Sequence, residues 1–103
     1  MKIVTKNTIK KECWNLDFEF VKWLNEHLKV YNEEASKIVD LGFHKFIYKK
    51  KTYTQKMIID RLIEITDQYI KKEKDFWALT LENKETINEM LDLFELVYPT
   101  LWW

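Results

Sequence analysis

The spacing of apolar residues along the chain predicts three principal helices. In the first stretch they recur at steps of three and four from Phe20 to Ile38, so one face of a helix over 17–41 is apolar. Gly42 follows directly, and glycine at this place is typical of a left-handed residue that ends a helix. We therefore expect a helix over 17–41 with Gly42 as its C-terminal cap; the alternative is a break near Asn32-Glu33.

Two further apolar stripes predict the second and third helices. Thr54 is expected to cap a helix over about 55–73, whose stripe is wide enough to indicate contact on two sides. The third helix is expected to begin after Thr80 or Asn83 and to end at about Tyr98, before Pro99. Its expected inner face consists of Ile87, Met90, Leu91, Phe94, Val97 and Tyr98, with Leu93 and Leu96 off that face.

A short aromatic and β-branched segment separates the first two predicted helices. Residues 43–48 and 52–54 flank a run of lysines, which predicts a small β-hairpin with a basic tip. The turn lacks Asn-Gly or Asp-Gly, so an irregular loop is the alternative. Residues 1–8 are expected to form a strand beside the hairpin or an arm, and residues 75–79 a loop that places apolar groups in the core. The predicted fold is a mainly α, three-helix bundle-like single domain over 1–103, with pure all-α as the rival.

Composition describes an ordinary globular chain of 103 residues, 47% hydrophobic and 33% charged. Because Cys13 is the one cysteine and no long apolar run occurs, we expect a cytoplasmic protein without disulfide, signal peptide or membrane span. Formal net charge is zero, yet residues 1–52 are basic and residues 53–103 are acidic, which favours complementary docking. Lysine far outnumbers arginine, as in AT-rich coding, and this suggests a phage-type or mobile-element protein.

The chain offers few residues for catalysis or metal binding. His27, His44 and Cys13 do not have the spacing of a zinc or nucleophile motif, and no glycine-rich phosphate loop exists. Carboxylates repeat at helical spacing on the second and third helices, which is typical of a solvated face. We expect no catalytic residue, no metal and no cofactor, and hence no enzyme.

The hairpin is the first candidate contact surface. Aromatic residues alternate there with cations, a pattern that binds single-stranded nucleic acid through phosphate contacts and base stacking. The bland interpretation is a solvated tip whose lysines protect strand edges. The candidate residues for nucleic acid or an acidic partner, around 45–56, are Lys45, Tyr48, Lys49, Lys50, Lys51, Tyr53 and Lys56.

The apolar segment after Pro99 is the second candidate surface. Two buried indoles remove roughly 300–500 Å² from water, so Trp102 and Trp103 must pack in their own core or in another chain. The leading hypothesis is a non-enzymatic interaction protein, an accessory or inhibitor that binds a protein partner or a second copy; nucleic-acid binding is the alternative. The candidate partner-binding residues are Leu93, Leu96, Leu101, Trp102 and Trp103.

Overall fold

A computed structural model describes residues 6–13, 16–71 and 81–101 of the chain. These ranges form four α-helices, a two-stranded antiparallel hairpin and a final 3₁₀ turn. The mainly α class, with a hairpin between the first two long helices, is confirmed. In chain order the elements are α1 (Lys6–Cys13), α2 (Leu16–Ala35), β1 (Lys45–Tyr48), β2 (Lys51–Thr54), α3 (Gln55–Lys71), α4 (Leu81–Val97) and the 3₁₀ turn (Tyr98–Thr100).

The central element is α3, which packs against α2 on one side and against α4 on the other. Its buried positions cover more than one face, as the wide apolar stripe predicted. A polar contact fixes the pairing with α2: the buried Asn25 amide donates to the Thr66 hydroxyl at 2.8 Å and to the Asp67 carboxylate at 3.0 Å. The molecule measures 40 × 40 × 20 Å, which fits three helices side by side in one layer.

The core comes from one face of each of the three long helices. For α4 the predicted face is wrong at four positions. Leu93, only 2% exposed, and Leu96 pack in or against the core, whereas Leu91 is 48% and Tyr98 66% exposed. Positions 90, 93 and 97 share a helical face, and this face meets α3. The core consists of Val21, Leu24, Leu28, Ile58, Ile59, Leu62, Ile65, Tyr69, Met90, Leu93 and Val97.

Helix α2 ends at Ala35, earlier than the predicted residue 41. There the Ser36 hydroxyl donates to the Glu33 carbonyl at 2.9 Å. The Ile38 amide donates to the Ala35 carbonyl, three residues back, instead of the carbonyl four residues back that an α-helix would use. The predicted left-handed cap at Gly42 is wrong, since its φ is not positive. Its amide instead donates to the Asp40 carboxylate at 2.8 Å, in a turn separate from the helix end.

The start of α3 is tied to the loop and hairpin that precede it. Thr54 caps the helix as predicted, because its hydroxyl accepts the Met57 amide at 3.2 Å. The first two amides of the helix donate to the carbonyls of His44 and Leu41, at 3.0 and 2.9 Å. Three of the amides that a helix start leaves unpaired are thereby satisfied, and the hairpin is held against the bundle.

The hairpin turns on two lysines that both have positive φ. Residues Phe46 and Tyr53 are paired across the strands, and Lys49 and Lys50 form the two-residue turn with φ of 48° and 65°. Positive φ at both positions is the type I′ pattern that suits the twist of a hairpin. The lysine side chains make this conformation cost about 1 kcal/mol for each residue, so the strand pairing compensates for a strained turn.

Some of the remaining predictions fall wholly or partly outside the described residues. Residues 6–8 belong to α1 and not to a strand, while residues 1–5 lie outside the described ranges. The expected cap at Thr80 and the apolar loop over 75–79 also lie outside them. Asn83 is not a cap, because it lies inside α4.

An ion-pair group links α3 to α4 beside the core. The Arg61 guanidinium donates twice to the Glu89 carboxylate, at 2.8 and 2.9 Å, and once to Glu64 at 2.8 Å. These bonds hold the pKa of Glu89 below its ordinary value. On the other side of α3, the hydrogen bond from Lys29 is the main cause that lowers the pKa of Asp67.

We expect Lys50→Gly to stabilise the protein by about 0.5–1 kcal/mol, because glycine adopts positive φ without steric cost. Lys51→Gly is the matched control: the same change in an extended strand position is expected to destabilise by a similar amount. Urea unfolding of both variants measures the difference. Equal destabilisation by the two changes would contradict the strained turn.

We expect the free energy of unfolding to decrease as the pH falls from about 5 to about 3. A carboxylate whose pKa is lowered by folding stabilises the protein above its unfolded pKa, and this contribution disappears as the pH falls through the folded pKa. Glu89→Gln should therefore flatten the decrease, whereas Glu95→Gln, on a different and exposed face of α4, should leave it unchanged. Urea unfolding at a series of pH values measures both slopes.

Candidate functional site

An apolar groove lies between α2 and the C-terminal end of α4. It exists because both helices pack along α3 and meet each other at few points. Its volume is about 770 Å³. The described residues that line it are Trp23, Leu24, Glu26, His27, Leu28, Val30, Tyr31, Phe94, Tyr98, Pro99 and Leu101.

The two walls touch at both ends of the groove. At one end the ring of Phe20 meets the ring of Phe94 edge-on, with centroids 6.1 Å apart. At the other end the Tyr31 hydroxyl donates to the Thr100 carbonyl at 3.2 Å. The residues of α2 that line the groove run from Trp23 to Tyr31, eight residues apart, so the groove is about 12 Å long, or just over two helical turns.

Large apolar side chains on the walls remain open to solvent. Trp23 and Val30 on α2 are 52% and 58% exposed, and Tyr98 on the facing wall is 66% exposed. The Trp23 indole stacks on the His27 ring at 4.2 Å, and the His27 Nδ1–H donates to the Trp23 carbonyl oxygen at 2.7 Å. Both contacts lie within α2, so they orient the exposed indole on the surface of that helix.

A buried polar network fixes the opposite wall. Gln55, only 2% exposed, donates from Nε2 to the Thr100 carbonyl at 3.1 Å and to the Tyr31 hydroxyl at 3.3 Å. The Tyr31 hydroxyl donates to the same carbonyl, and the Thr100 hydroxyl donates to the Val97 carbonyl at 2.7 Å. The network joins α2, α3 and the 3₁₀ turn, and it sets the point where Leu101 enters the groove.

The predicted partner-binding residues fall in different places. Leu101 lines the groove and packs against the core, so the segment after Pro99 folds back onto the chain as far as this residue. Leu96 is half buried against the core, and Leu93 is inside it, so neither forms the free apolar surface expected for α4. Trp102 and Trp103 lie outside the described residues.

The basic hairpin exposes its lysines, whereas its aromatic rings are partly buried. Four of the predicted lysines, at positions 45, 49, 50 and 51, are exposed. Lys56 lies in the first turn of α3 and pairs with the Asp60 carboxylate at 2.8 Å. The structure therefore groups the lysines of the turn but binds Lys56 to a neighbouring acid.

The aromatic rings of the hairpin face the helices. Phe46, Tyr48 and Tyr53 are partly buried against the core. The Tyr48 hydroxyl donates to the Asp92 carboxylate of α4 at 3.2 Å, and the Lys49 ammonium lies 5.4 Å from the centroid of the Tyr48 ring. Burial raises the pKa of Tyr48, and the nearby charge of Lys49 opposes this. The rings predicted to stack on bases thus stabilise the hairpin on the bundle.

The carboxylates that repeat along α3 and α4 are engaged in separate contacts. Asp60 accepts from Lys56 and from Asn32, Asp67 from Lys29, and Glu89 from Arg61. The described part of the chain contains no group of three or more His, Cys, Asp or Glu side chains placed to hold a metal ion. Among its helices none is both long and apolar enough to cross a bilayer.

Comparison with known proteins gives no assignment: the chain matches no protein-family model, no curated protein and no solved structure.

The groove itself was not predicted from the sequence. Trp23 and Val30 are seven residues apart, which is two helical turns, so they form a second apolar stripe beside the core stripe of α2. That second stripe was the available signal. The residues of the facing wall contain no such signal, since Tyr98 and Pro99 indicate only the end of a helix in the sequence.

We expect Gln55→Leu to destabilise the protein by about 1–3 kcal/mol, because it deprives the partly buried Thr100 carbonyl and the Tyr31 hydroxyl of a donor. Gln68→Leu is the control, the same change at an exposed position of α3. Urea unfolding measures the stability, and hydrogen exchange of the Leu101 amide reports release of the turn. A Gln55→Leu variant as stable as the control would contradict the role of the network.

Proposed function

We propose that this protein is a non-enzymatic interaction module that binds an amphipathic helix of a partner protein in the groove between α2 and α4. The observation that carries the proposal is the open apolar groove itself, with Trp23, Val30 and Tyr98 all half exposed or more along its walls. Contiguous exposed apolar surface of this kind marks binding sites in soluble proteins. Aromatic anchors such as Trp23 and Tyr98 are enriched in protein interfaces.

The shape of the groove favours a helix as its occupant. Helix α2 forms one wall, and the end of α4 with the 3₁₀ turn and Leu101 forms the other, so a helix laid along the groove packs against α2 as a further member of the helical bundle. The length of about 12 Å accommodates just over two turns of a helix, and packed helices lie about 8–10 Å apart. A partner helix with apolar residues at steps of three and four presents one continuous stripe to such a groove.

Charge favours a different protein over a second copy of this one. Helix α2 carries five carboxylates and two lysines, and α4 carries five carboxylates and one lysine. Two copies joined by this face would bring acidic helices together, which costs free energy in an interface. A partner protein of other sequence avoids that repulsion.

Nucleic-acid binding through the hairpin has less support. Exposed lysines at the turn suit phosphate contacts, but Tyr48 and Tyr53 pack towards the helices and are not placed to stack on bases. Acidic side chains of α4 also lie close to the tip, since Asp92 accepts from Tyr48 and the Lys49 charge lowers the pKa of Glu89 alongside Arg61. The groove is therefore the better-supported surface.

The proposal is tested with a synthetic helix of about 18 residues, which is about five turns. It carries Leu and Phe along one stripe and Gln elsewhere, and a scrambled peptide of the same composition is the control. We expect saturable chemical-shift changes in the full chain at Trp23, Val30 and Tyr98, and none with the scrambled peptide. Trp23→Ala should weaken binding about tenfold, as loss of a central aromatic anchor does. Ile47→Ala, exposed on the hairpin, should leave binding unchanged.

Other outcomes identify other occupants. Absence of shifts with both peptides, or equal shifts with the scrambled one, contradicts the proposal. Tighter peptide binding by a chain shortened to Leu101 would show that Trp102-Trp103 competes for the groove. A dimer in sedimentation that Trp23→Ala dissociates would show that a second copy occupies it.

A further inference from the structure

We infer that the partner helix is basic, with Lys or Arg residues on both sides of its apolar stripe. This inference rests on the proposed function and adds the charge of the partner. Among the described residues that line the groove, Glu26 is the one carboxylate, and none is Lys or Arg. A basic flank on the partner would pair with this wall, whereas an acidic flank would be repelled.

Further acidic side chains continue the charge of both walls. Glu33 is seven residues after Glu26, so it lies on the same stripe of α2 and is exposed. Glu95 lies between Leu91 and Tyr98 at helical spacing on α4, and it is exposed as well. The carboxylates thus follow the two edges of the groove.

The lysines of α2 do not cancel this charge at the groove. Lys29 is bound to the Asp67 carboxylate of α3 at 3.0 Å, on the side of α2 away from the groove. Lys22 precedes Glu26 by four residues and so lies on the same stripe of α2 as Glu26 and Glu33, but it is not among the residues that line the groove. Neither lysine of α2 therefore lines the groove itself, whereas Glu26 does.

Two helix ends add negative potential at one end of the groove. The hydrogen bond between Tyr31 and Thr100 brings the last turns of α2 and α4 together. Each helix C-terminus carries a partial negative charge. Neither helix has a basic residue in its last turn to offset that charge. A cationic side chain of the partner is the complementary group for this end.

The test uses three peptides that share one Leu/Phe stripe and differ in their flanking residues, which are Lys, Gln or Glu. In about 50 mM salt we expect the Lys peptide to bind the full chain about tenfold tighter than the Gln peptide, and the Glu peptide to bind weakest. The differences should shrink in about 500 mM salt, where exposed charges are screened. Chemical shifts of groove residues confirm the site in each titration.

Charge reversal separates the groove from the overall charge of the protein. Glu26→Lys combined with Glu95→Lys should invert the preference, so that the Glu peptide binds tightest. Glu85→Lys is the control, because Glu85 is nine residues before Phe94 and thus lies on the opposite face of α4. It should leave the order of the three peptides unchanged.

The possible failures are distinguishable. The inference of a basic partner is wrong if the three peptides bind equally, if the Glu peptide binds tightest, or if Glu85→Lys changes their order. In each of these cases the groove remains a binding site. If none of the peptides shifts the groove residues, both the inference and the proposed function are wrong.

Discussion

The architecture depends on the burial of α3 along both of its sides. Ile58, Ile59 and Leu62 are fully buried, and one helix cannot cover so wide a stripe. Both α2 and α4 are therefore held on α3, and they meet each other at few points, among them the ring contact of Phe20 with Phe94. The groove between α2 and α4 exists because α3 needs a helix on each of its two apolar sides. Helices that pack on opposite sides of a third helix cannot also pack closely together.

Much of the fold follows from local patterns in the sequence. The stripe of α3 and the Thr54 cap are both confirmed, because period and capping depend on residues near each other in the chain. The hairpin is confirmed even though its turn residues are unfavourable, since the strand pattern outweighs the turn chemistry. The predicted cap at Gly42 fails because α2 ends at Ala35, where the Ser36 hydroxyl bonds the Glu33 carbonyl, while the Gly42 amide bonds Asp40 in a separate turn.

The groove depends on relations that no local pattern contains. Leu93 and Leu91 are both leucines on α4, and only the direction from which α3 approaches decides which of them is buried. The same holds for Tyr48, whose ring packs inward because Asp92 on a distant helix accepts its hydroxyl. From the sequence, Gln55 would be expected at the surface. In the structure its amide donates hydrogen bonds to Tyr31 and Thr100, which are 24 and 45 residues away.

Most of the groove wall that faces α2 is a single 3₁₀ turn with Leu101, and this turn can open and close independently of the helices. The turn is anchored at Thr100 by Gln55 and Tyr31, and by the contact of Leu101 with the core. So short a segment opens at a lower free energy than the helices around it. When it opens, the wall of Pro99 and Leu101 is lost while the rest of the bundle stays folded. The apparent affinity for any ligand then scales with the fraction of molecules in which the turn is closed, so a substitution inside the bundle tunes binding without touching the ligand.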